Sequence, residues 1–204
     1  MEKSIDKYEK IVKTLDNLAE KLKELRRNVQ WSIKDKETLS KVVVYIVKNN
    51  IKNRNVDLLN LEKRILSEKF GNFVICSSLR IVFEFFKESS IDDKTYEKVE
   101  KELLDFFHNG AMPKDSSIDH EDVNKFLSKL MVFERIEHIL ATIDAIKFVI
   151  ENKDKFKQVN EAIEKELINI SEGLKILETY SRYLGIRISF DEFIETISVE
   201  YSNF

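Results

Sequence analysis

KVVVYIVKNNIKNRNVDLLNLEKRILSEKF, residues 41–70, is the stretch on which the fold class turns. Its first eight residues are rich in β-branched side chains and read equally well as a strand or a helix. The residues after them decide. The polar segment NNIKNRN closes the run, and Val56, Leu59, Ile65, Leu66 and Phe70 then recur at helical rather than alternating spacing, up to Gly71, which reads as a left-handed helix stop. The neighbourhood is helical, and a helix from about Glu37 to Asn50 is the consistent reading of the ambiguous piece.

The same period extends in both directions. In residues 3–34, Ile5, Tyr8, Val12, Leu15, Ala19, Leu22 and Val29 fall at alternating steps of three and four, interrupted by Arg26, while Ile11, Leu18 and Leu25 widen the stripe on one side. A stripe of this width suits a bundle helix better than the narrow seam of a free coiled coil. Trp31 reads as a core or hinge anchor. After Gly71, FVICSSLRIVFEFF is apolar on nearly every side and is expected to form the most buried helix, with Cys76 as a small buried filler.

From Asp92 or Asp93 a helix reaches about His108, with Tyr96, Val99, Leu103, Phe106 and Phe107 inward and acids in its first turn, where the helix dipole favours them. NGAMPKDSS then holds a glycine and the sole proline, and 109–118 reads as a linker between a half 1–108 and a half 119–204, together forming one compact unit. Ser117 or Asp119 can cap a helix striped by Val132, Ile136, Ile139, Ile143, Ile146 and Ile150. A turn is expected at ENKDK, 151–155, because an unbroken rod of about 100 Å is far longer than globular helices. The last long helix carries Phe156, Val159, Ile163, Leu167, Ile170, Leu174, Leu177, Tyr180 and Leu184 and ends at Gly185. Ile186 can fold back on its final turn, and Ser189 can cap a short terminal helix. The expected fold is all-α: a bundle of about seven or eight mostly antiparallel helices with a long C-terminal helical hairpin.

Composition narrows the chemistry. With 43% hydrophobic and 35% charged residues the chain can build a core, whereas 4 glycines and 1 cysteine leave no material for a glycine-rich phosphate loop, a disulfide framework or a cysteine zinc cluster. The start MEKSIDKYEK lacks the apolar core of a secretory signal, and runs such as Val42 to Val47 are about a third of the ~20 residues a membrane span needs. A cytoplasmic protein is expected.

His108, His120 and His138 lie on different elements. Glu134 and His138, four residues apart, share a helix face, but the Glu-x-x-His pairs of a binuclear bundle site are missing. Most carboxylates sit near helix starts, where they serve the backbone. These patterns point to no catalytic residue, cofactor, metal site or small-molecule substrate.

Charge is distributed unevenly. Residues 1–71 carry 17 Lys or Arg against 11 Asp or Glu, while residues 72–204 carry 17 against 26. Two functions fit. The first is a non-enzymatic interaction or scaffold protein that binds another protein or itself, with the opposed charges able to favour head-to-tail contact. The alternative is a subunit of a nucleic-acid-binding or nucleoprotein assembly. If the first two helices pair as a hairpin turning near Asp35, Lys21, Lys23, Lys48, Lys52 and Arg54 gather on one side as a patch for phosphates or an acidic partner. Residues 65–80 resemble a helix-turn-helix only in outline, because their second helix would offer Val74, Ile75, Leu79 and Ile81 to the bases.

Overall fold

The structure is a computed structural model that describes residues 2–52 and 55–201, with side chains described for 7–52 and 55–198. Every regular element among the described residues is helical: α1 (Glu2–Asn28), α2 (Ile33–Asn50), α3 (Leu58–Ser67), α4 (Val74–Glu88), α5 (Asp93–Asn109), α6 (His120–Glu151), a 3-10 turn (Lys153–Lys155), α7 (Val159–Tyr183) and α8 (Asp191–Tyr201). The β-branched run lies inside α2. Ser32 and Asp35 form a reciprocal capping box at its start, and Leu39, Val42, Val43, Ile46 and Val47 are buried. A weak helix propensity of a few tenths of a kcal/mol per residue is overridden by that packing. Among the described residues no helix is long and apolar enough to cross a membrane.

The chain forms two compact units: Met1–Gln30 with Met131–Phe204, and Trp31–Leu130. The segment 109–118 therefore lies inside the second unit. There Gly110, at φ 67°, supplies the left-handed cap of α5, and Ile118 is buried.

In the first unit, ion pairs report direction. Asp16 meets Lys147 and Arg26 meets Glu137, each at 2.6 Å, so advancing along α1 retreats along α6 by the same number of residues. Tyr8 bonds Asn160 at 2.7 Å, and Ile11 and Leu15 share a small void with Leu167, so α1 runs parallel to α7. The turn after Glu151 makes α6 and α7 an antiparallel hairpin. Gly173 permits their close approach, because a Cβ there would stand 3.2 Å from Cγ1 of buried Ile139. The buried face of α1 is centred on Ile11, Leu15, Leu18, Leu22, Leu25 and Val29, with Val12 and Ala19 half-buried at its margin. Ile5 lies outside the described side chains. Gly185, at φ 77°, ends α7, and the amide of Ile186 donates back to the Ser181 carbonyl at 2.9 Å.

The second unit has an aromatic core. Phe85, Phe86, Phe106 and Phe126 are fully buried, with Phe106 stacked on Phe126 at 6.3 Å between ring centres. Trp31 is half-buried against Phe126 at 5.4 Å and donates its indole N–H to the Gly71 carbonyl at 3.0 Å, an anchoring role.

Two local expectations are corrected. Gly71 is not left-handed: α3 stops earlier, at Ser67, with Glu68 extended. Cys76 is exposed. Val74, Ser78, Ile81, Val82, Phe85 and Phe86 turn inward, and Cys76 lies on the opposite side of α4 with Phe73 and Phe83, so this helix is not buried all round. One face of a helix suffices to fill a neighbouring core, and the surplus apolar residues are left outside.

Helix starts in the second unit depend on carboxylates. Asp92 accepts from the Thr95 hydroxyl at 2.7 Å and the Thr95 amide at 3.0 Å, and these bonds hold its carboxyl below the usual range. The Ser117 amide does the same for Asp115, and the Glu121 and Asp122 amides for Asp119. Glu88 is lowered by its bond from Arg64. Because these groups titrate lower when folded than when unfolded, their stabilisation is complete above the unfolded values of about 4 and disappears as pH falls through the lower folded ones. Urea midpoints followed by Trp31 fluorescence should hold steady from pH 7 to about 5 and fall steeply below about 4. Asp92→Asn keeps an acceptor for Thr95 and should flatten that acid limb. An unchanged slope in the variant would assign the acid sensitivity elsewhere.

Candidate interaction surface

Of the lysines grouped by the sequence, Lys21 and Lys23 belong to the first unit and Lys48 and Lys52 to the second. Lys21, half-buried in α1, donates to the Ser189 carbonyl at 2.5 Å and lies over the Phe190 and Phe193 rings at 5.0 and 5.3 Å, closing the α8 end of the first unit. Lys23 pairs with Glu20 at 2.8 Å. Lys48 and Lys52 belong to the second unit, one in the last turn of α2 and the other just past it, and both are exposed. Arg54 lies outside the described residues. An amphipathic lysine can lay its ammonium over aromatic rings, but no ring lies near Lys21 in the sequence. Its partner lies more than 160 residues away, which no local pattern reveals.

The histidines are likewise dispersed. His108 lies in the last turn of α5, whereas His120 and His138, expected on different elements, share α6 eighteen residues apart, and exposed His138 contributes its backbone carbonyl to the Thr142 hydroxyl. Glu137 beside it is engaged by Arg26. Among the described residues no three His, Cys, Asp or Glu groups are placed to hold a metal ion. The broad depression beside Lys98, Lys101, Asp105 and His108 is lined by α5 alone, so it has one wall. The void beneath α1, α7 and α8, at about 10 Å³, is water-sized at most.

Two helix faces stand out instead, because large apolar side chains sit on them in water. On α4 and its cap these are Phe73, 69% exposed, Cys76 and Phe83, 39% exposed, with Arg80, Glu84 and Lys87 between and beyond them. Phe83 is held edge-on by Tyr96 at 5.2 Å and covered by the Lys87 ammonium at 4.3 Å, whereas Phe73 is the more open. On α7 they are Ile168 (47%), Ile176 (37%) and Tyr183 (51%), separated by steps of eight and seven that keep them on one side of the helix. The inward face of α7, formed by Ile163, Leu167, Ile170, Leu174 and Leu177, already supplies the first unit's core. The outer three are therefore surplus to folding. They were visible in the sequence as apolar residues outside the main stripe, although the sequence alone did not separate them from the stripe's margin.

Comparison with protein-family models, curated proteins and solved structures returns no match for this chain. The functional reading therefore rests on its own residues.

Proposed function

We propose that this chain is a cytoplasmic, non-enzymatic helical interaction module that binds another protein, or a second copy of itself, through the outer faces of its helices. The observation that carries this reading is the pair of exposed apolar faces, Phe73 with Phe83 on α4 and Ile168 with Ile176 and Tyr183 on α7. Apolar side chains exposed in a row lose water-contacting area when a second surface covers them, at roughly 25 cal/mol per Å². The charged residues around them restrict which surface fits. A lone exposed thiol at Cys76, with no second cysteine to pair with, suits a reducing compartment.

The nucleic-acid reading draws less support, since two of its four described lysines are engaged within the chain, Lys21 at Ser189 and Lys23 at Glu20. The test is retention of proteins from native cell extract on the immobilised chain, compared with Phe73→Asp and Ile176→Arg, followed by binding of the purified component. A component retained by the chain, lost by one variant and bound at micromolar concentration after purification is the expected result. The same set of proteins on all three would overturn the reading.

A further inference from the structure

We propose that α8 fills, and so blocks, a docking groove between α1 and α7 whose external occupant is an acidic amphipathic helix of another protein. That helix carries two aromatic residues and one aliphatic residue spaced as Phe190, Phe193 and Ile197 are. The groove is covered in the structure and separate from the exposed faces of α4 and α7, so it adds a site to the reading above, and each can fail without the other.

The resident helix shows what the groove accepts. Lys21 stands by Ser189, Phe190 and Phe193, while Ile11, Thr14 and Leu15 share the small void with Thr196 and Ile197, so α8 runs antiparallel to α1. Phe190 is fully buried, Ile197 is buried and Phe193 is half-buried against the Lys21 ammonium. Steps of three and four keep these three on one side of the helix. Every charged residue of α8 is acidic, and Asp191, Glu192 and Glu195 are exposed. At the start of α8 the grip is on the backbone. The Ser189 carbonyl accepts from Lys21 of α1, and the Phe190 N–H donates to Glu178 of α7, each at 2.5 Å. These are the two ends of a single peptide group, which any residue but proline can offer, so the clamp positions a helix start and the apolar three select it.

Three features make α8 exchangeable. At 11 residues it is shorter than the about 12–15 that a lone helix needs in water, so its helix depends on the groove. Its connector, 185–189, is exposed at Gly185, Arg187 and Ser189. The void of about 10 Å³ beside Thr196 and Ile197 leaves the groove incompletely filled, and an occupant that fills it gains contacts that α8 lacks. The α8 of a second copy offers the same side chains as the resident one and gains nothing over it, while the connector holds the resident at an effective concentration on the order of millimolar. A different chain is therefore the fitting occupant.

The probe is a fluorescein-labelled peptide of residues 187–201, RISFDEFIETISVEY, titrated by anisotropy against the full chain, its Phe190→Ala variant and its Glu195→Pro variant. Phe190→Ala weakens the resident helix and leaves the groove walls intact. Glu195→Pro breaks that helix at an exposed position, and serves if the loss of Phe190 disturbs folding. Apparent affinity rises with the fraction of open groove, so both variants should bind the peptide roughly tenfold or more tightly than the unaltered chain. A peptide with Phe190→Ala should bind none of the three, and adding Lys21→Met to Glu195→Pro should weaken binding again. Without any substitution, the α8 amides should exchange with solvent roughly tenfold or more faster than those of α1 and α7, because α8 opens alone. Equal peptide affinity for all three chains, no binding to either variant, or exchange of α8 at the rate of α1 and α7 overturns the blocked groove. A dimer of the unaltered chain at micromolar concentration that Phe190→Ala abolishes would give the groove to a second copy and overturn it as well.

Discussion

Phe126→Ala should remove about 3–5 kcal/mol from the stability of the Trp31–Leu130 unit, the range for truncating a large buried aromatic. The Phe126 ring is fully buried between Trp31, 5.4 Å away, and the stacked Phe106, 6.3 Å away. Deleting it forfeits its transfer from water and leaves a cavity bounded by two aromatic rings. Those rings are themselves anchored, Trp31 by its bond to the Gly71 carbonyl and Phe106 within α5, so the hole cannot readily collapse. Trp31 is the sole tryptophan, and its emission reads this site directly. Urea denaturation should show an earlier midpoint at unchanged slope, with red-shifted native fluorescence, and Phe126→Leu should lose less than half as much. A loss below about 1 kcal/mol would mean that the ring does not fill this core.

Asp35→Ala is the second large effect, at roughly 3 kcal/mol. The Asp35 side chain, 8% exposed, accepts from the Lys129 ammonium at 2.5 Å and from the amide and hydroxyl of Ser32 at 2.7 and 2.8 Å. One carboxylate thus completes the α2 capping box and ties the start of α2 to the Lys129 end of the unit. Removing it deprives the Ser32 amide of this acceptor and takes a counter-charge away from a largely covered ammonium. Because Lys129 keeps 21% of its side-chain surface in water, the loss belongs at the low end of the range for buried pairs. Asp35→Asn retains an acceptor for Ser32 and should fall between. Lys129→Met should cost less, about 1–2 kcal/mol, since the carboxylate remains bonded to Ser32. Equal losses for Asp35→Ala and Lys34→Ala, the latter removing an exposed pair with Asp122, would show that burial does not set the strength here.

Much of the architecture was legible because helix formation is local. The apolar stripe of α6, the caps at Asp92 and Asp119, and the glycine stop at Gly185 all depend on residues within a turn or two of one another, whereas α2 begins at Ile33 behind the Ser32 cap, four residues before the expected Glu37. Where burial was inferred from composition alone, legibility ended. FVICSSLRIVFEFF supplies apolar residues to every side of α4, and nothing within it marks Phe73, Cys76 and Phe83 as the outward set. The neighbour that covers one side comes from elsewhere in the chain. Likewise nothing within α7 marks Ile168, Ile176 and Tyr183 as the outward set, which required knowing that Ile163, Leu167 and Leu174 face the core.

The sequence by itself determined that this protein is helical, where most helices begin and end, and which side of each carries its main stripe, because those properties are set by spacing, caps and backbone propensity within single segments. Only the tertiary structure decided that α1 shares a unit with residues 131–204 and that the hundred residues from Trp31 to Leu130 close on a core of their own. It also decided that Lys21 closes the α8 end and that Phe73 and Ile176 remain in water. An apolar stripe is complementary to almost any other apolar stripe. Which two meet depends on shape and charge matched across long stretches of chain, as at Asp16 with Lys147 and Gly173 against Ile139, and no local period encodes that match.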